Sequence, residues 1–179
     1  EQAIGELRWW HEMLGRQLPR RGVPLAVRSA FPEPSDPGVL VPYSDASREQ
    51  TDPSASGFGA WAIVLGEFVY VEGRWTEEEV RRLDINTLEL AAMNIGSFWF
   101  IEHAQAAGVV VTHLFEFTDN TAAEHSAERV KPRAAKLGEL VRQQYDALYS
   151  LGVSATAERV ASVDKDVADG LSRGGTKLA

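Results

Sequence analysis

The 179-residue chain carries 18 basic and 26 acidic side chains for a net charge of −8, with 44% hydrophobic residues, 25% charged residues and no cysteine. That balance describes one globular domain of ordinary size with a full core, and it excludes a disordered chain, a disulfide scaffold and a thiolate metal site. The acidic charge argues against a polyanionic partner unless bound cations reverse the field locally. No apolar run is long enough to cross a bilayer, so no membrane partner is expected. The absence of cysteine favours an intracellular setting, cytoplasmic or nuclear, and the opening at Glu1 reads as a piece of a longer protein.

Residues 1–14 place Ala3, Ile4, Leu7, Trp10 and Leu14 at helical spacing, predicting an amphipathic helix. Residues 15–31 hold Arg16, Arg20, Arg21 and Arg28 with no acid, either a solvated connector or a contact to phosphate. Pro32, Pro34 and Pro37 then make a stiff linker. The domain plan is therefore an N-terminal helix and connector over 1–37, a main domain over 38–175 and a tail over 176–179.

Gly38 to Pro42 is an apolar run with strand character, and Asp45 follows it just ahead of a turn-rich loop from Ser47 to Ser56. Asp45 alone reads most plainly as a turn aspartate capping that loop. Gly57–Leu65 and Glu67–Gly73, joined at Gly66, read as an antiparallel hairpin. Gly57 and Gly59 weaken that strand unless another backbone or a ligand comes close. Thr76 to Arg82 predicts a short, exposed helical turn. Asn86 to Ala107 is the longest predicted helix, with Asn86 as its N-cap, Glu89 completing a capping box and Gly108 as the stop.

Val109 to Phe117 reads as a buried strand that ends in Thr118-Asp119-Asn120. Pro132 opens a helix that stops at Gly152, and Val153–Val160 makes the last strand. Ser162 caps a final short helix, Val163–Leu171, holding Asp164, Asp166 and Asp169. The expected architecture is α/β: a five-stranded mixed sheet, three antiparallel strands then two parallel, flanked by helices.

In such a sheet the ligand crevice lies beyond the carboxyl ends of the parallel strands. Asp45 and Asp119 each sit late in a predicted strand, Glu89 lies in the first turn of the helix between them, and an acid of the last helix can complete a ring of four. Acids so gathered repel one another unless cations bridge them, and oxygen donors without His or Cys select magnesium or manganese. A pair of such ions is the usual apparatus for cutting phosphodiesters.

Five fragments in register carry a resemblance: Tyr-Ser-Asp-Ala-Ser at 43–47, Gly-Phe-Gly-Ala-Trp at 57–61, Ile-Asn-Thr-Leu-Glu-Leu-Ala-Ala at 85–92, Thr-Asp-Asn at 118–120 and Val-Ala-Asp-Gly-Leu-Ser-Arg at 167–173. Together they resemble a type I ribonuclease H domain of a retroelement reverse transcriptase. The versions at 85–90 and 168–173 look most like the DIRS-like elements, and Leu7-Arg8-Trp9-Trp10 resembles the connection segment that precedes such domains. The resemblance implies a ribonuclease H-like fold and cleavage of the RNA strand of RNA/DNA hybrids. It also implies two Mg2+ ions, with Mn2+ able to serve, and the reverse transcriptase of the same polyprotein as partner. By the same resemblance Asp45, Glu89, Asp119 and Asp169 are the metal-binding catalytic carboxylates, with Asp166 the fallback for the fourth. Ser47, Asn86, Asn120 and Arg173 fall on nucleic-acid-binding positions. Two departures stand out: residues 159–163 lack the histidine common in the family, and Lys165 replaces a common asparagine.

The four histidines pair with no acid at a telling spacing and read as surface or structural residues, and of the tryptophans Trp75 is the one placed to stack on nucleic acid. Two other classes of function stay open: a non-catalytic tether within a polyprotein, and another ribonuclease H-like nuclease of integrase or resolvase type.

Overall fold

A computed structural model describes residues 33–118, 135–159 and 166–174. The predicted N-terminal helix, the arginine stretch with Arg16, Arg20 and Arg21, and the positions Asp119, Asn120, Pro132, Ser162 and Lys165 lie outside the described residues, as does the tail.

The first strand pieces are β1 (Val39–Leu40) and β2 (Tyr43–Ser47), and β5 (His113–Thr118) pairs with both in parallel. Leu40 faces Leu114 and Tyr43 faces Phe117, one constant offset, so β1 and β2 are a single strand interrupted at Val41–Pro42. Proline has no N–H to give the ladder. Its carbonyl still accepts from Phe117 N at 3.0 Å, which holds the register across the break. The strand expected over Gly38–Pro42 thus begins as read and runs on to Ser47, and Asp45 lies late in it, within β2.

β3 (Gly57–Val64) and β4 (Glu67–Arg74) form the expected hairpin. Leu65 and Gly66 take φ of +53° and +83°, the two left-handed residues that a two-residue turn matched to strand twist demands. β6 (Ser154–Arg159) pairs in parallel with the far side of β5. Counting β1 and β2 as one, five strands run in the order β4, β3, β2, β5, β6, the first three antiparallel and the rest parallel.

Helix α1 (Glu77–Arg82) carries a full capping box: Thr76 Oγ1 accepts from Glu79 N, and the Glu79 carboxylate accepts from Thr76 N at 2.7 Å. Helix α2 (Ile85–Ala106) is capped by Asp84, whose carboxylate accepts from Thr87 N and Thr87 Oγ1, both at 3.0 Å. The expected Asn86–Glu89 box is therefore corrected. Asp84 reaches the orphan amide first, and Asn86 is already helical. At the other end Gly108 N and Val109 N bond to the carbonyls of Gln105 and Ala104, closing the helix in a Schellman motif. That closure uses up Val109, so β5 begins four residues later than its apolar run suggests.

α2 lies on one face of the sheet beside α3 (Ala135–Leu151). The core between them joins Leu40, Ala62, Val64 and Leu114 from the sheet to Phe100, Ile101 and Leu148 from the helices. Each such buried aliphatic or aromatic side chain contributes about 1.5–3 kcal/mol. Leu90 and Met93 of α2 meet Leu137 and Val141 of α3 in a second cluster. The opposite sheet face carries a stack of rings, Tyr43 on its register partner Trp61 at 4.4 Å and Trp61 on its diagonal neighbour Phe68 at 5.5 Å.

Candidate active site

The last described helix, α4 (Asp166–Ser172), packs on β2 and β3 through contacts that only small residues allow. A Cβ on Gly59 would stand 2.3 Å from Leu171 Cβ, 2.8 Å from Ser172 N and 2.9 Å from the Ala168 carbonyl, and one on Gly57 would stand 2.8 Å from the Ser172 carbonyl. The two glycines thus have the close backbone approach that their place in a strand calls for.

Side chains then fasten the helix. Ser47 Oγ donates to the Ser172 carbonyl at 2.7 Å and accepts from Gly57 N at 3.0 Å. Ser172 Oγ donates to Asp45 Oδ2 at 2.8 Å. Ser44, Asp45, Ala46 and Ser47 are all buried, so β2 is enclosed on both faces. Asp45 points towards α4. Ala46 points the other way, into a cluster with Leu88 and Ala92 of α2.

Glu89 follows Leu88 and is itself buried, with 7% of its surface exposed. Because Asp84 caps α2, capping does not explain why a carboxylate occupies this position. Asp169 lies on α4 with its side chain half exposed and accepts from Arg173 Nε at 2.8 Å. That bond and the Asp169 charge hold the Arg173 guanidinium above its ordinary pKa, and Asp45 and Glu49 add to the effect. Arg173 therefore stands within the field of three carboxylates, Asp45 among them.

The structure thus brings Asp45, Ser47, Asp169 and Arg173 together around Ser172. Among the described residues no three His, Asp or Glu side chains stand close enough to hold a metal ion, and Asp119 lies outside that set. The donors are nonetheless of one chemical kind, carboxylate oxygens without His or Cys, which suits hard divalent cations.

The chain is similar to the RNase H1 of the halophilic archaeon Halobacterium salinarum NRC-1, with a TM-score of 0.58 and 16% identity over 79% of this chain and 100% of that one. It is similar too to LC11-RNase H1, isolated from compost and solved in complex with an RNA/DNA hybrid, with a TM-score of 0.60 and 13% identity over 76% and 95%. The fold is that of ribonuclease H. A foamy viral protease-reverse transcriptase in complex with an RNA/DNA hybrid is a further neighbour with a TM-score of 0.50 and 15% identity; 88% of this chain matches 23% of that one. No protein-family model and no curated protein sequence matches the chain.

On this ribonuclease H frame the remaining expected residues are also located. Ser47 is buried and both sides of its hydroxyl are engaged, which makes it a tie between β2, β3 and α4. Asn86 is half-buried in the first turn of α2, and Asp166 is exposed at the start of α4. Trp75 does not stack on nucleic acid: it is buried against Phe58, Ala46, Val80 and Leu88. His113 is structural, as expected, its ring nitrogens 2.7 and 3.1 Å from the hydroxyls of Ser154 and Thr156.

Sequence reasoning missed Glu116, which is 1% exposed in β5. Ser97 Oγ donates to its carboxylate at 2.6 Å and Gln144 Nε2 lies 3.0 Å from both oxygens, while burial pushes its pKa up to about 7. The signal was present as one acid inside an apolar strand, on the parity of Leu114, which faces the core.

The docking of α4 gives a direct expectation. Gly59→Ala inserts a methyl where Leu171 and two backbone atoms of α4 already stand, which destabilises the domain by about 2 kcal/mol. Urea denaturation of the variant checks it, and an unchanged midpoint would mean that α4 shifts freely.

Proposed function

We propose that this domain is a metal-dependent endonuclease that cleaves the RNA strand of RNA/DNA hybrids, acting within a retroelement reverse transcriptase of the DIRS-like kind. The observation that carries the reading is the Ser172–Asp45 hydrogen bond, which fixes a buried carboxylate of the central strand beneath the helix that bears Asp169. Asp45, Glu89 and Asp169, together with Asp119, are the residues that would hold two Mg2+ ions, with Mn2+ able to replace them. Bound at these oxygens, such ions supply an activated water and stabilise charge on the leaving 3′ oxygen.

The chain's own contribution is placement. Asp45 is immobilised by Ser172 within the sheet, Glu89 is carried by a helix packed on that sheet, and half-exposed Asp169 stays within reach of substrate. Exposed Arg173 supplies a cation for a phosphate beside the site. Asn86 and Asn120 supply polar contacts to the nucleic acid, where 2′-hydroxyls distinguish RNA from DNA.

The Asp169–Arg173 pair favours a second reading, a non-catalytic polyprotein domain whose last carboxylate is occupied by a neighbouring cation. A labelled hybrid incubated with the chain in Mg2+, in Mn2+ and in chelator separates the two. The nuclease reading expects cut RNA with either metal, intact RNA in chelator and intact DNA throughout. No cleavage with either metal would leave the tether.

A further inference from the structure

On the sheet face opposite α4, the helices α1, α2 and α3 enclose a groove of about 570 Å3. Its floor is apolar, with Ile95, Phe98 and Leu140 prominent, and Ile95 is 37% exposed. Trp75 and Asn94 also line it. Both residues are only 7% exposed, and Trp75 Nε1 and Asn94 Oδ1 are buried polar atoms with no hydrogen-bond partner among the described residues. The Asn94 amide nitrogen, by contrast, is used, donating to the Leu140 carbonyl at 3.3 Å. A buried donor and a buried acceptor left unmatched in one groove wall carry an uncompensated desolvation cost, which a ligand offering the complementary pair recovers.

The charges of the lining decide what kind of ligand fits. Glu79 and Glu139 are its ionisable residues, with no cation among the lining side chains. A phosphate backbone is repelled there and a cationic partner attracted. A peptide group offers a carbonyl for the indole N–H and an N–H for the amide oxygen, provided that its own backbone groups are not already paired in a helix. We propose that this groove docks an extended segment of a partner protein, one with a large apolar anchor flanked by lysine or arginine. The anchor fills the floor over Ile95 and Phe98, the backbone meets Trp75 and Asn94, and the flanking cations meet Glu79 and Glu139. Nothing in this assignment depends on the nuclease reading.

The test is isothermal titration of the full chain with two capped hexapeptides, one with a Leu-Leu centre flanked by Lys on each side and one with Glu in place of Lys. The basic peptide is expected to bind at least about tenfold tighter than the acidic one. Trp75→Phe removes the donor while keeping most of the ring and should weaken binding about fivefold. Glu79→Gln with Glu139→Gln preserves the capping box of α1 and should erase the preference between the peptides. Ile95→Glu, at a half-exposed position that tolerates a charge in the fold, should abolish binding even if the Trp75 variant folds poorly. Failure of the basic peptide to bind, or binding that Ile95→Glu leaves unchanged, overturns the proposal, as does tighter binding of the acidic peptide.

Discussion

Asp45→Asn is expected to lower hybrid cleavage by at least about a thousandfold while leaving the domain folded. Asparagine has the same shape and retains a side-chain oxygen that accepts from Ser172 Oγ, so α4 stays seated on β2 and β3. What disappears is the charge, and the proposed chemistry needs that charge to hold a divalent cation. Stability should change by less than about 1 kcal/mol, because the hydrogen bond survives and the carboxylate was buried in any case. Glu89→Gln should behave the same way: Asp84 makes the cap of α2, so the exchange removes no cap and spares the melting temperature. Cleavage assays beside thermal denaturation read both quantities. A wild-type rate in Asp45→Asn would refute the site, and a collapse of stability in Glu89→Gln would return that residue to a structural role.

A second large effect belongs to Glu116. Its carboxyl is buried among neutral donors, Ser97 of α2 and Gln144 of α3, and desolvation outweighs their hydrogen bonds to bring its pKa from 4.5 up to about 7. The folded protein therefore keeps a proton at pH values where the unfolded chain has released it. The resulting stability is fully present below pH 4.5 and drains away as pH rises to 7 and beyond, worth about 3 kcal/mol across that window. Glu116→Gln cannot ionise, and its amide can pair with the same Ser97 and Gln144 groups. The variant should be more stable than wild type at pH 8, and the gap between the two should close towards pH 5. Tyr145, whose hydroxyl pKa is raised by burial and by the Glu116 charge, should titrate lower in the variant. Urea midpoints at several pH values test this, and a variant weaker than wild type at pH 8 would show that ionised Glu116 is well solvated by its partners.

Local chemistry explains which features were legible in the sequence. The short helix at Thr76–Arg82, the turn at Gly66 and the close approach at Gly57 and Gly59 are short-range or steric demands, and the chain meets them as read. The strand pieces at residues 38–47 were read as ending at Pro42, because proline and aspartate have low strand propensity. Their actual extent is set by the register with β5, more than seventy residues downstream. The cap of α2 was misassigned to Asn86 because Asp84 and Asn86 are both good N-cap residues two positions apart. Trp75 looked exposed beside an acidic turn until Phe58, Val80 and Leu88 were folded around it. Asp45 and Asp169 were both nominated, yet Ser172, which links the helix of one to the side chain of the other, carried no local signal.

That link has a consequence for how the protein is made. The bonds from Ser172 to Asp45 and Ser47 close loops of 127 and 125 residues, whereas the β3–β4 hairpin closes over two. Loop closure of that length is entropically costly and comes late, after local pairings are in place. During synthesis the sheet can therefore assemble around β2 while the space above Gly59 is still open, and α4 takes its seat there only once the ribosome has delivered Ser172.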